Sequence, residues 1–123
     1  MKFSGLTGEI IRAALEVHSV LGPGLLESTY RTCLCYELKQ QGLNVRTEMS
    51  LPVSYKGVAI DNGYRVDLLV EDTVIVEAKA VTALLPVHKA QLLSYLRLSG
   101  RPAGLLINFH VAMLRDGIKR VVN

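Results

Sequence analysis

The chain has no tryptophan, and its aromatic residues are five tyrosines and two phenylalanines. It has only two cysteines, so no disulfide framework can staple it. Cys33 and Cys35 lie two apart in a helix-like pattern and point to different sides of it. Two free thiols in a reducing, cytoplasmic setting are the expectation. Apolar runs fall far short of the roughly 20 residues a membrane-spanning helix needs, so no membrane role is expected. The opening "MKFSGLTGEI" has one lysine and no continuous apolar segment behind it, unlike a secretory signal. There is no repeat, low-complexity tract or linker, and residues 1–123 read as one domain. Neither sign of charge dominates: 14 Lys and Arg face 11 Asp and Glu, for a net charge of +3. That mild excess is compatible with nucleic acid and does not establish it.

What is present is a half-apolar chain, 50% hydrophobic and 20% charged, able to build a core. Ile10, Ile11, Ala14, Leu15 and His18 recur at helical steps and predict an amphipathic helix over residues 6–21. "GPG" at 22–24 ends it, and a second helix follows over 25–41, with Gly42 past its end as cap. The stretch "LNVRTEMSLPVSYKGV" reads as extended, its Pro52 fitting an edge or irregular strand. Residues 64–70 and 74–80 read as a hairpin. Pro86 opens a third helix that runs to about Ser99. Residues 103–109 read as a buried strand, and 117–122 as a strand or short helix. The order α-α-β-β-β-α-β predicts an α/β domain, a mixed central sheet flanked by helices.

The hairpin raises a chemical question, because "VIVEAKA" at 74–80 sets Glu77 and Lys79 into a strand that otherwise reads as buried. Side chains alternate along a strand, so Val66, Leu68 and Val70 share one face, with Val74, Val76 and Ala78 their apolar counterparts. Matching these sets requires an odd loop such as Glu71-Asp72-Thr73, or a bulge. Asp67 then falls directly across from Glu77, with Lys79 two residues on. From spacing alone two readings stand. One is a solvated ion network of Arg65, Asp67, Glu77 and Lys79, common on half-exposed strands. The other is a site for Mg²⁺ or Mn²⁺ between two carboxylates that would otherwise repel. Such an ion activates water and stabilises charge on a phosphate.

Asp67 followed by Glu77-Ala78-Lys79 resembles the signature of the PD-(D/E)XK nuclease superfamily. "QLLSY", with Gln91 and Tyr95, is similar to the Q-x-x-x-Y element of its RecB-like branch. "GLLESTY" at 24–30, "EVH" at 16–18, "YKG" at 55–57, "HKAQLLSYL" at 88–96 and "GLLINF" at 104–109 together resemble the GxxExxY proteins over residues 6–121. Position 66 is Val where the superfamily's name has Pro. The resemblance implies a restriction-endonuclease-like core and Mg²⁺- or Mn²⁺-dependent hydrolysis of nucleic acid, with DNA favoured over RNA. It implies Asp67 and Glu77 as metal-binding carboxylates, the Ala78 backbone carbonyl as a further ligand and Lys79 as the catalytic lysine. Glu27 would bind the metal or a bridging water, and Gln91 would orient the nucleophile or substrate beside Tyr95.

Each supporting residue also has a plainer reading. Glu27 precedes Arg31 by four, the spacing of a helical ion pair. Tyr30 fits the core or a hydrogen bond to the site, and His18 lies on an apolar stripe. His88 is a candidate phosphate contact, while Lys89, Arg97 and Arg101 fit solvated charges. A homodimer or partner protein could complete the grip on a duplex. The alternative function is a catalytically silent module that binds nucleic acid or protein.

Overall fold

Helix α1 (Ser4–Leu21) stops where Gly22 takes a φ of 68°, and α2 (Glu27–Gln40) stops before Gly42 at 81°. Both are left-handed positions that a side chain would strain. The computed structural model describes residues 4–61 and 63–123. After α2 come β1 (Val45–Ser50), β2 (Val53–Tyr55), β3 (Val58–Ile60), β4 (Arg65–Val70) and β5 (Val74–Lys79). Helix α3 (Pro86–Ser99), β6 (Ala103–Asn108), a 3-10 turn (Leu114–Gly117) and β7 (Ile118–Val122) complete the chain.

Five strands form one mixed sheet in the order β1-β4-β5-β6-β7. Only β5 and β6 run parallel, and α3 makes the crossover that parallel neighbours require. On one face, α1 and α2 bury Ile10, Val17, Tyr30 and Leu34 against Leu68, Val76, Leu105 and Phe109. On the other, α3 buries Leu92, Tyr95 and Leu96 against Leu69, Ile75 and Leu106. Both faces of the central strands are covered, which explains why β6 is buried along its whole length. Among the described residues no helix is long and apolar enough to cross a membrane. Cys33 and Cys35 are free, and both lie half-buried against the α1–α2 core.

The predicted elements hold with three corrections, and one open alternative is resolved. The buried stripe of α1 is Ile10, Ala13, Ala14 and Val17, while Leu15 is largely exposed. The stripe is therefore rotated from the expected one. The extended stretch before β4 is not one strand. Pro52 ends β1's pairing, and β2 and β3 form a separate two-stranded hairpin. Residues 118–122 are a strand, with only the preceding turn helical. Val66 packs with Leu69 and Ile75 under α3, not with Leu68 and Val70.

The 3-10 turn constrains the end of β6. A methyl group on Gly117 would strike the Asn108 backbone carbonyl. Asn108 is buried, and its side chain accepts from the Val81 N–H (3.1 Å) and donates to the Val81 carbonyl (2.9 Å). Gly117→Ala should therefore destabilise the fold by about 1–3 kcal/mol, the cost of overpacking a tight site. Urea denaturation would check this; an unchanged midpoint would show that the turn yields without strain.

Candidate functional site

The displaced Val66 points to a local fault in the sheet. Strand β1 pairs with β4 at Thr47–Leu68 and at Met49–Val66, but the pair between them, Glu48 and Asp67, is missing. Glu48 has a φ of 51°, a strained value for a residue with a side chain. Both strands change face there. Val45 packs with the α1–α2 core and Met49 with the α3 core, although both are odd-numbered. The alternation thus slips in β1 and β4 at the same level.

On the other side of β4, the loop Glu71-Asp72-Thr73 is odd, as apolar matching required. Glu71 and Asp72 both take positive φ, and the ladder runs Val70–Val74, Leu69–Ile75, Leu68–Val76. Asp67 and Glu77 come next in this register, but here side chains replace backbone partners. The Asp67 N–H donates to Glu77 Oε2 at 2.8 Å, and the Ala78 N–H donates to Asp67 Oδ2 at 3.0 Å. Each carboxylate holds a backbone donor of the opposite strand, so the two acids meet where the strands part.

Glu77 is only 5% exposed, so the solvated ion network does not describe it. Burial first, and the Asp67 carboxylate second, push its pKa from 4.5 up to about 7. The Asp67 N–H, Lys79 and Arg31 pull the other way and do not prevail. Tyr95, on α3, is also raised: burial is the main cause, followed by Glu77, Tyr64 and Asp67. Its phenol therefore lies within the field of both acids, and α3 roofs the site.

Helix α2 supplies the other wall. Glu27 Oε2 accepts the Ala80 N–H at 3.0 Å, just beyond the end of β5. Arg31 does not pair with Glu27; it reaches Asp67 Oδ1 at 3.4 Å and Glu48 Oε1 at 3.8 Å. Arg31 is the functional candidate that sequence reasoning missed. The available signal was its position one turn from Glu27, since a helix that aims Glu27 at β5 aims residue 31 at the same sheet. Tyr30 explains the spacing of "GLLESTY" mechanically. Its hydroxyl donates to the Gly22 carbonyl and accepts the Leu25 N–H, and its ring stacks on Phe109 at 4.5 Å. The tyrosine closes the loop that delivers Glu27, and Gly24, at φ 104°, lets that loop turn.

Among the remaining sequence-predicted residues, Lys79 is half-buried at the end of β5, where its charge acts on Glu77. Gln91 is exposed on α3, while Tyr95 one turn later is buried. His88 Nδ1 accepts the Leu85 N–H at 2.9 Å, which makes it part of the α3 cap. His18 Nε2 bonds the Val111 carbonyl at 2.8 Å, tying α1 to the segment after β6. The structure therefore gathers Asp67, Glu77, Ala78 and Lys79 with Tyr95 and Arg31, places Glu27 at the edge, and gives His18 and His88 backbone partners elsewhere.

Among the described residues no three Asp, Glu, His or Cys side chains cluster tightly enough to enclose an ion. Two adjacent carboxylates still fit a hard divalent cation, because Mg²⁺ is commonly held by one or two carboxylates, with waters and substrate phosphates completing the shell. Burial is the main cause of the raised Glu77 pKa and the Asp67 carboxylate the second, and a cation would relieve that second part.

The family model of the PD-(D/E)XK nuclease superfamily matches residues 4–121. The mixed five-stranded sheet with helices on both faces is the restriction-endonuclease-like fold that this match implies. No curated protein and no solved structure gives a significant match.

The buried acid makes stability depend on pH. The folded chain holds the Glu77 proton more tightly than the unfolded chain does. Its contribution is therefore complete below about pH 4.5 and is lost as pH rises through about 7. Without metal, Glu77→Gln should be more stable than the unsubstituted chain near pH 8, by up to about 3 kcal/mol, and nearly equal to it near pH 4.5. Denaturant titrations at both pH values, with EDTA present, would read this. A difference independent of pH would show that Glu77 does not titrate as described.

Proposed function

This chain belongs to the PD-(D/E)XK nuclease superfamily, and on that premise we propose that it hydrolyses phosphodiester bonds in nucleic acid with the help of Mg²⁺ or Mn²⁺. The observation that carries the reading is the meeting of Asp67 and Glu77 where β4 and β5 part, with Lys79 beside them. In this reading Asp67 and Glu77 hold the ion, with the Ala78 carbonyl as a further oxygen donor and Glu27 acting through a bridging water. A bound divalent ion would supply a water of lowered pKa and stabilise negative charge on the phosphate.

The chain's own residues do the rest. Lys79 steadies the attacking water and the charge that builds as the phosphorus–oxygen bond breaks. Gln91, exposed on α3, contacts the substrate or the nucleophile from above. Arg31 holds Asp67 in place before a cation arrives. The motif set in residues 16–30, 55–57 and 88–109 supports placing the chain among the GxxExxY proteins. We also infer a cytoplasmic setting from the two free thiols, DNA in preference to RNA, and a homodimer or partner protein as an aid in gripping a duplex.

One observation favours a second reading. Arg31 already pairs with Asp67, and a guanidinium there competes with a metal ion. A domain that binds nucleic acid without cutting it could keep such a pair.

Mn²⁺ should raise the melting temperature of the unsubstituted chain by mass action and leave Asp67→Asn unmoved. With Mg²⁺ or Mn²⁺ the chain should cut at least one nucleic acid in a panel of single strands, duplexes and junctions, and EDTA should stop it. Asp67→Asn, Glu77→Gln and Lys79→Ala, purified identically, should each lose about a hundredfold or more of the rate, while Lys79→Ala still binds substrate. Cutting that survives in all three would overturn the enzyme reading. Binding that weakens with salt, without cutting in any preparation, would favour the silent module.

A further inference from the structure

Between β1 and β4 the chain leaves the main sheet as the β2–β3 hairpin, and a bond from the Leu51 N–H to the Tyr64 carbonyl (2.9 Å) closes its base. The hairpin springs from the strand ends that carry the site, since Tyr64 precedes Asp67 by three residues. Of the five tyrosines, Tyr30 is consumed in the core and Tyr36 is exposed on α2, while Tyr55, Tyr64 and Tyr95 lie on the hairpin or over the carboxylates. Tyr64 keeps 42% of its surface exposed and leans on Tyr95, ring centres 6.2 Å apart at an interplanar angle of 59°. Tyr55 is 59% exposed, and the Lys56 ammonium stands 5.5 Å from its ring centre at the hairpin turn. Exposed Arg65 follows Tyr64 directly.

We propose that the substrate is single-stranded or locally unpaired nucleic acid, with Tyr64 stacking a base next to the phosphate at Asp67 and Glu77, and Tyr55 with Lys56 holding the strand further out. The placement of that phosphate rests on the nuclease reading. An exposed aromatic ring rewards a base whose face is free, and a duplex keeps those faces stacked on one another. Depth acts in the same direction. Glu77 is almost fully buried, so the phosphate has to come in below the surface to reach it. A flexible strand can bend inward by rotating its backbone, whereas a duplex has to be gripped from outside. Alternating cations and aromatic rings suit a strand that is held by its backbone and its bases together.

The absence of tryptophan supplies the test, because Tyr64→Trp introduces the only indole in the chain. A mixed-sequence DNA of about 20 nucleotides, single-stranded or annealed to its complement, is titrated in EDTA so that no cutting occurs. The emission of the Tyr64→Trp variant should be quenched by the single strand and not by the duplex. By fluorescence anisotropy the single strand should bind the unsubstituted chain at least about tenfold more tightly than the duplex does. Tyr64→Leu should lose about five- to a hundredfold in single-strand affinity, and Tyr64→Phe should retain it. Equal affinity for the duplex, an unquenched indole, or unchanged binding by Tyr64→Leu would each overturn the proposal. The two readings fail separately. Asp67-dependent cutting of duplex alone removes the stacking assignment and leaves the nuclease, whereas quenching by single strands without cutting in Mn²⁺ does the reverse.

Discussion

The capture of the Asp67 and Ala78 backbone N–H groups by the Glu77 and Asp67 carboxylates is the constraint on which the rest of the site depends. In a regular ladder continued through Asp67 and Glu77, bonded and non-bonded pairs alternate, so the Asp67 N–H would turn toward Glu48 of β1 and the Ala78 N–H toward the backbone of β4. Here the ladder ends one pair earlier, at Leu68–Val76, and the carboxylates take over as acceptors. The strands can part at that point without leaving a buried N–H unsatisfied, which would cost roughly 1–3 kcal/mol. The slip at Glu48 and Asp67 makes this possible, because it takes Asp67 out of register with β1 as well. The fault in the sheet and the meeting of the acids are one feature.

Charge balance in the site is divided among three elements. Strand β5 contributes Glu77 and Lys79, β4 contributes Asp67, and α2 contributes Arg31. Arg31 and Lys79 favour the ionised form of Glu77, yet burial and Asp67 outweigh them. The two cations therefore stabilise the arrangement without discharging it. Helix α2 can hold Arg31 at this depth because its N-terminal loop is closed by the Tyr30 hydroxyl and anchored by the stack on Phe109. Glu27, bound to Ala80, fixes the same helix end to the exit of β5.

Much of this was legible in the sequence, and the reasons differ by residue. The odd loop at 71–73 followed from matching apolar faces, and the observed register bears it out. Pro86 and Ser99 bound α3 as expected, since proline at a helix start and "SGRP" beyond its end are strong local signals. The slip at Glu48 was not legible, because alternation presumes regular backbone and no glycine marks the bend. Arg31 was read as Glu27's helical partner, an assignment that local spacing favours and tertiary contacts override. The α1 stripe was misplaced by one position because Leu15 looks more core-like than Ala13, yet Ala13 is the buried one. His18 and His88 could not be placed by type, since backbone carbonyls and N–H groups as partners leave no trace in a pattern of side chains.

The position of Glu48 has a further consequence, for the outside of the molecule. Strand β1 is an edge of the sheet, and an extended edge is a template on which another chain can add a strand. The left-handed turn of the backbone at Glu48 breaks that edge near its middle, and it does so at a charged residue. Arg46, exposed two residues earlier, adds a second charge. The irregularity that frees Asp67 inside thus also blunts the strand outside. A change that straightened β1 would close the site and, in the same act, restore a flat edge open to self-association.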